Sequence, residues 1–339
     1  MALRDNMEYW KISLEHREPP VDDSYTRDVV IVDNKNYCYN VNLLRELIIT
    51  FCTLIEINKT EELDDIVKTI DSIICNVENI EYTEFLSYWK CLDMTYSIYK
   101  KLDKKMRFDT LKFILEKYCE NRRKLYDQLG YTHVIQQALY DSTSARSQGV
   151  SGRVKIMCLL RSVVGDVQVA QSDLDLGSNA LWVLLPDENK EGFTELRQQL
   201  RMRYRFGETH QGKLPDMVIK IGEPLFVLEA KHVKESGGAQ DKQIKELIDF
   251  INQEEDSKIP IYYVAFLDGV YFNLFISSEF ISSKKFTKPY KQRQDIEEAL
   301  QRYKRSYFVN TAGLRALLED AYQTLQSTET SQQTSTNPD

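Results

Sequence analysis

Three residues in one short stretch have the types and spacing to do chemistry. Asp216, Glu229 and Lys231 lie in residues 214–231, LPDMVIKIGEPLFVLEAK. Two apolar, β-branched runs there flank Gly222-Glu223, a two-residue hairpin signal. Folding about that pair sets Ile221 against Pro224, Lys220 against Leu225 and Asp216 against Glu229. Side chains alternate along a strand, so Met217, Ile219, Ile221, Phe226, Leu228 and Ala230 share one apolar face. Asp216, Glu229 and Lys231 gather at one end of the other. Directly opposed residues have Cβ atoms roughly 4.5–5.5 Å apart, and like charges so placed destabilise the pair. The two carboxylates need a cation, or one must hold a proton. A hard divalent ion with oxygen ligands suits them, and Mg²⁺ keeps several waters free for chemistry. With an ammonium beside it, such a site suits hydrolysis of a phosphate ester.

A charged hairpin face is ordinarily just solvated. Here Val218, Leu225 and Val227 on that face are apolar. Continuous runs such as Leu-Phe-Val-Leu imply a strand covered on both sides. Carboxylates at the end of a buried strand point to function. A slip of one residue in register would reverse every face.

Pro215-Asp216, twelve intervening residues and Glu229-Ala-Lys231 resemble the signature of the PD-(D/E)xK phosphodiesterases. Gly237-Gly238-Ala-Gln-Asp-Lys-Gln243, ahead of an amphipathic helix, is similar to some type II restriction endonucleases of that superfamily. The resemblance covers residues 190–275 and not the first half of the chain. It implies an α/β fold of the restriction-endonuclease kind, with a mixed central sheet flanked by helices. It further implies sequence-specific, Mg²⁺-dependent cleavage of double-stranded DNA, with Mn²⁺ able to substitute. Asp216 and Glu229 would ligate the metal, together with the Ala230 carbonyl. Lys231 would orient or deprotonate the water or stabilise the transition state, roles the sequence does not separate. The superfamily often carries an additional acid on a helix before the Asp strand, for which Glu195 and Glu191 are the candidates. A repair, junction-resolving or RNA nuclease, or a non-catalytic nucleic-acid-binding module, is the alternative.

These residues need elements to position them. Ile244, Leu247, Ile248 and Ile251 form a core stripe at helical spacing. Gly237-Gly238 before that helix either brings its amides and positive end to a phosphate or is a plain turn. Lys234, Gln240 and Lys242 flank that end as candidate DNA contacts. Residues 194–205 read as a helix capped by Thr194, 154–164 as a short helix, and 179–185 as a strand. Residues 259–267 and 270–276 read as a second strand pair joined by Asp268-Gly269, a type I′ hairpin signal. Helices are expected over 294–303 and 313–325. The Ser- and Gly-rich residues 141–153 are either a linker or a loop that offers Arg146 and Arg153 to a phosphodiester.

Upstream, residues 1–36 carry Glu18-Pro19-Pro20 and read as a loose lead-in. Apolar residues then recur at helical spacing from 41 to 140. The expected organisation is a helical domain over 1–140 for DNA specificity and dimerisation, a catalytic domain over 141–325 and a disordered tail over 326–339. Tyr82, Tyr88, Trp89, Tyr96 and Tyr99 sit among Leu and Ile, which favours core packing over base stacking. Lys100, Lys101, Lys104, Lys105 and Arg107 favour a solvated face over a DNA contact.

Composition sets the outer bounds. With 28% charged and 42% hydrophobic residues the chain is globular. No run of about 18 apolar residues marks a membrane span, and the N-terminus lacks the apolar core of a signal peptide. The six cysteines form no CxxC pair, which argues against zinc. Most of them sit in apolar periodic segments and read as buried reduced thiols, which suits a cytoplasmic protein. A net charge of −8 argues mildly against nucleic acid, but residues 197–245 hold ten Lys/Arg against six Asp/Glu. Local field matters more than the sum for a groove that holds phosphates. Two copies of one site suit cutting both strands, so a homodimer is expected.

Overall fold

A computed structural model of the chain divides into two compact units, residues 1–26 with 148–339, and residues 27–147. It describes all residues except 1–2, 21–32, 78–79, 81–82, 90–91, 93, 95, 122–137, 139–147, 171–173, 235–236, 256, 258, 277–286 and 336–339.

The larger unit is built on one mixed five-stranded sheet in the order β1-β2-β3-β4-β5. The strands are β1 Leu181–Leu184, β2 Met217–Ile221, β3 Leu225–His232, β4 Ile261–Asp268 and β5 Ser306–Val309. The first three form an antiparallel meander; β3, β4 and β5 run parallel. Parallel neighbours require a crossover, which helices α10 (Gly238–Ile251) and α11 (Lys288–Arg302) provide.

The β2–β3 register pairs Met217 with Leu228 and Lys220 with Leu225, as the Gly222-Glu223 turn predicts. Gly222 has a left-handed φ of 65°, which glycine adopts without a Cβ penalty. Met217, Ile219, Ile221, Phe226 and Leu228 pack in one cluster, while Val218, Leu225 and Val227 belong to another. Both faces of the hairpin are therefore covered, as the continuous apolar runs require. The first cluster is closed by α7 (Gln148–Val164) and α12 (Thr311–Ser335), the second by α8 (Lys190–Leu200), the short α9 (Arg205–Thr209), α10 and α11.

Several expectations are corrected. Residues 1–36 are not a loose lead-in throughout: α1 (Asn6–Glu15) is a helix of the sheet unit, capped by Asp5 and packed along β5. Asn6 donates to the carbonyls of Leu300, Tyr303 and Ser306, and Trp10 stands edge-on to Phe272 and Phe308. Covering an edge strand this way satisfies a face that would otherwise invite pairing. The second hairpin does not form. Gly269, with φ 92°, turns the chain against the end of β3, where Val233 N–H donates to the Asp268 carbonyl and Tyr271 N–H to that of Val233. Residues 270–275 then coil as a 3-10 helix that buries Tyr271, Phe272 and Phe275; a short apolar run does not distinguish helix from strand by periodicity.

Helix α7 starts at Gln148, inside the expected linker, and α12 continues to Ser335, well into the expected tail. Helix α8 is capped by Asn189, with Thr194 inside it. β5 is a strand that the sequence analysis does not predict.

The smaller unit is helical, with α2 Lys35–Glu56, α3 Leu63–Asn76, α4 Glu84–Trp89, α5 Tyr96–Lys101 and α6 Lys104–Asn121. Its core includes Tyr88, Trp89 and Tyr99, with Tyr96 packed against it, so these rings are structural; Tyr82 lies outside the described residues. Lys100, Lys101, Lys104 and Lys105 are exposed, and Arg107 pairs with Asp71 at 3.1 Å. Helix α2 is long and apolar enough to cross a membrane by length and composition; its stripe Val41, Leu44, Ile48 and Phe51 is buried in this core. Cys52 of α2 and Cys119 of α6 pair as a disulfide with Cα atoms 5.5 Å apart, correcting the reading of these two as reduced thiols. Their separation of 67 residues gives no sequence signal; only helix packing brings them together.

Candidate active site

The antiparallel hairpin carries Asp216 and Glu229 to the same end of β2 and β3. Asp216 stands immediately before β2, and its Oδ2 accepts the Ala230 N–H at 2.8 Å. Its own N–H donates to the Leu228 carbonyl at 2.9 Å. The end of β2 is thereby fixed to the peptide between Glu229 and Lys231. Glu229 is fully buried. Burial drives both carboxyls above their ordinary range, and for Glu229 the Asp216 charge adds to the effect. Burial is the larger cause in each case; Lys231 and Lys213 oppose it.

Lys231 follows Glu229 by two residues, which puts both on one face of β3, and its Nζ lies 2.7 Å from Glu229 Oε1. Two residues the sequence analysis did not single out complete the cluster. Lys213 pairs with Glu229 Oε1 and with Glu246 Oε1, and Lys231 also reaches Glu246 Oε2 at 3.5 Å. Glu229, Lys213, Glu246 and Lys231 thus close a ring of ion pairs. Burial works against the charge on Glu246, yet the two lysines hold its carboxyl below the ordinary range. Burial likewise works against the Lys213 ammonium, but Glu229 and then Glu246 raise it well above a free lysine. The signal for Glu246 was its place beside the Ile244, Leu247, Ile248 stripe of α10, on a flank that faces the sheet. Lys213, just ahead of Leu214-Pro215, carried no periodic signal.

Of these four groups, Lys213 is held from behind. The Tyr204 hydroxyl donates to the Lys213 carbonyl at 3.2 Å, the Lys213 ammonium lies 5.5 Å from the Phe206 ring centroid, and Arg197 stands 5.4 Å from that of Tyr204. On the opposite face α7 approaches so closely that a Cβ on Gly152 would lie 2.9 Å from Ala230 Cβ.

The remaining expected residues are scattered. Arg153 contributes favourably to the Asp216 charge and lies 3.5 Å from Asp187. Lys234 and Lys242 are exposed and Gln240 is half-buried at the start of α10. Arg146 lies outside the described residues. Glu191 and Glu195 are exposed on α8, whose inward side carries Phe193 and Leu196. Neither Glu191 nor Glu195 joins the ion-pair ring, where Glu246 is the acid beside Glu229. The helix positions fix this outcome: Glu195 cannot turn inward without displacing Leu196 from the core.

No family model matches this chain, and no curated protein or solved structure is significantly similar to it. Its chemistry must be read from its own side chains.

Among the described residues no three His, Cys, Asp or Glu side chains are grouped as a metal cage. The donor set does fit a cation that needs few protein ligands. Both lysines occupy Glu229 Oε1, whereas Glu229 Oε2 is buried with no hydrogen-bond partner. A buried carboxylate oxygen left unpaired costs free energy. Mg²⁺ is commonly held by one or two carboxylates plus waters and substrate phosphate, which is what Asp216 and Glu229 offer. The described residues do not supply an all-protein Zn²⁺ or Ca²⁺ cage.

Proposed function

We propose that this chain is a Mg²⁺-dependent endonuclease of the PD-(D/E)xK kind, hydrolysing double-stranded DNA in a sequence-specific restriction setting. One observation carries the reading: Asp216, Glu229 and Lys231 converge at the end of a buried antiparallel hairpin, with a carboxylate oxygen left unpaired. The meander β1-β2-β3 followed by the crossover α10 to a parallel β4 supports a restriction-endonuclease-like core.

Asp216 and Glu229 would hold the metal, which when bound supplies an activated water and neutralises charge developing on the phosphate. Lys231 keeps an ammonium beside the attacked group, placed to orient the water or stabilise the phosphorane-like charge. Counting Asp216, Glu229, Glu246, Lys213 and Lys231, the cluster carries a formal charge of −1. A divalent ion brings it to +1, opposite in sign to a phosphodiester. Lys234, Gln240, Lys242 and Arg153 are the DNA contacts in this reading. The hydrophobic walls of β3 and β4 exclude water from behind the carboxylates, which strengthens each of these interactions.

The closed Lys–Glu ring, without a third acid at Asp216, is the observation that favours a second reading, a nucleic-acid-binding module without catalysis. Incubation with supercoiled plasmid decides between them. Linear or nicked product with Mg²⁺, absent with EDTA and absent for Asp216→Asn, supports the nuclease; bound but uncut DNA in all three supports the module.

A further inference from the structure

The two oxygens of Glu229 are used unequally. Oε1 takes both ammonium groups, and Oε2 takes none. Lys231 shares in this division from the same strand, with Glu246 Oε2 3.5 Å from its ammonium. Lys213 approaches from a different segment, and that segment is rigidly built. Gln211 and Gly212 both have left-handed φ, 54° and 75°, the Gly212 N–H donates to Gly207 at 2.7 Å, and the Tyr204 hydroxyl holds the Lys213 carbonyl. Gly207 has no room for a side chain, since a Cβ would stand 2.9 Å from the Tyr204 ring and 3.1 Å from the Lys213 carbonyl oxygen. At its far end the ammonium is divided between Glu229 and Glu246. Backbone and side chain are thus both anchored, and the carboxylate between them has one free oxygen.

We propose that Lys213, braced by Glu246, is a positioning residue that pins Glu229 through Oε1 so that Oε2 alone is presented to the divalent cation. The inference rests on the nuclease reading above and assigns a role within that site. Lys213 touches neither substrate nor metal; it acts through Glu229. Groups that hydrogen-bond a metal-ligating carboxylate typically change metal affinity roughly 10- to 100-fold when removed.

The sign of the effect separates positioning from simple charge. If Lys213 were only a nearby cation, its removal would relieve repulsion and tighten metal binding. If it pins Glu229, removal weakens binding. The test is equilibrium binding of Mn²⁺ to the full chain without DNA, read by the loss of the free-ion paramagnetic resonance signal, for wild type, Lys213→Met, Lys213→Arg, Glu246→Gln and Asp216→Asn. Circular dichroism of each variant checks folding. The expected result is a loss of about tenfold or more for Lys213→Met, a smaller loss for Glu246→Gln and partial recovery for Lys213→Arg. Mn²⁺ binding by folded Lys213→Met as tight as wild type, or tighter, overturns the inference while leaving the metal site intact. If Lys213→Met does not fold, Glu246→Gln and Lys213→Arg decide: unchanged affinity in Glu246→Gln together with lost affinity in Lys213→Arg overturns the braced arrangement. No saturable binding to wild type overturns the metal reading and this inference together.

Discussion

Lys231 Nζ lies 2.7 Å from Glu229 Oε1, two residues away on the same face of β3. The pair places an ammonium against a carboxylate that is fully buried and driven towards its protonated form by burial and by Asp216. Such an arrangement costs stability, and it defines what each substitution should do.

Asp216→Asn should abolish cleavage by orders of magnitude while leaving the fold intact or slightly more stable. The Asn Oδ1 can still accept the Ala230 N–H, and one of two opposed like charges disappears, worth about 0.2–1 kcal/mol. Linkage gives the same sign. A carboxyl raised in the folded state binds its proton more tightly than in the unfolded chain, so its contribution to stability falls as pH rises from the ordinary carboxylate value through the folded one. Thermal melts from pH 4 to 8 should therefore show wild type losing ground to Asp216→Asn as pH rises. Near-wild-type cleavage by this variant would remove Asp216 from the site.

Lys231→Ala should also be severe for cleavage, but should bind divalent metal within severalfold of wild type, since Lys213 still holds Glu229. Oxygen-only ligation further predicts turnover with Mg²⁺ or Mn²⁺ and DNA binding without turnover in Ca²⁺. Isothermal titration and a parallel digest check both. Full activity in EDTA would dispose of the mechanism.

Gly152→Ala tests the packing behind the site. Ala is about 1 kcal/mol better than Gly inside a helix, but its methyl would lie 2.9 Å from Ala230 Cβ, and overpacking costs about 1–3 kcal/mol. The second effect wins: α7 must shift off β3 between Glu229 and Lys231. A lower melting temperature with reduced kcat is expected, and an unchanged kcat would show that β3 is not braced by this contact.

Lys220 is fully buried in β2, where its ammonium donates to the Gly177, Gly222 and Glu223 carbonyls. Burial lowers its pKa to about 8, below the roughly 10.4 of an unfolded lysine. Between these values the unfolded chain binds the extra proton, so stability contributed at this site rises with pH. The urea-unfolding free energy of wild type minus that of Lys220→Met should grow between pH 8 and pH 10. A constant difference would mean that the ammonium is not desolvated.

Assembly follows from the number of sites. On the nuclease reading, one carboxylate–lysine cluster would hydrolyse one phosphodiester at a time, and a twofold dimer would supply two. Sedimentation at micromolar concentration should give twice the 39.7 kDa chain mass; a clean monomer rejects a stable dimer. Mapped fragment ends should then show a twofold-symmetric sequence.

What the sequence determined is local. The Gly222-Glu223 turn and period-two alternation set the register of β2 and β3, and register alone decides that Asp216, Glu229 and Lys231 share a face and an end. The stripe of α10 was equally legible, because burial of one helical face leaves a periodic record. What the tertiary structure decided is every relationship between segments without such a record. Lys213 and Glu246 are 33 residues apart and meet only because α10 crosses back over the sheet. Cys52 meets Cys119 through helix packing, β5 joins the sheet by pairing with β4, and α1 packs along β5. Val270–Phe275 is the instructive failure: an apolar run supports either period, and the choice was made by Gly269 docking on Val233, a contact that exists only once β3 and β4 are paired.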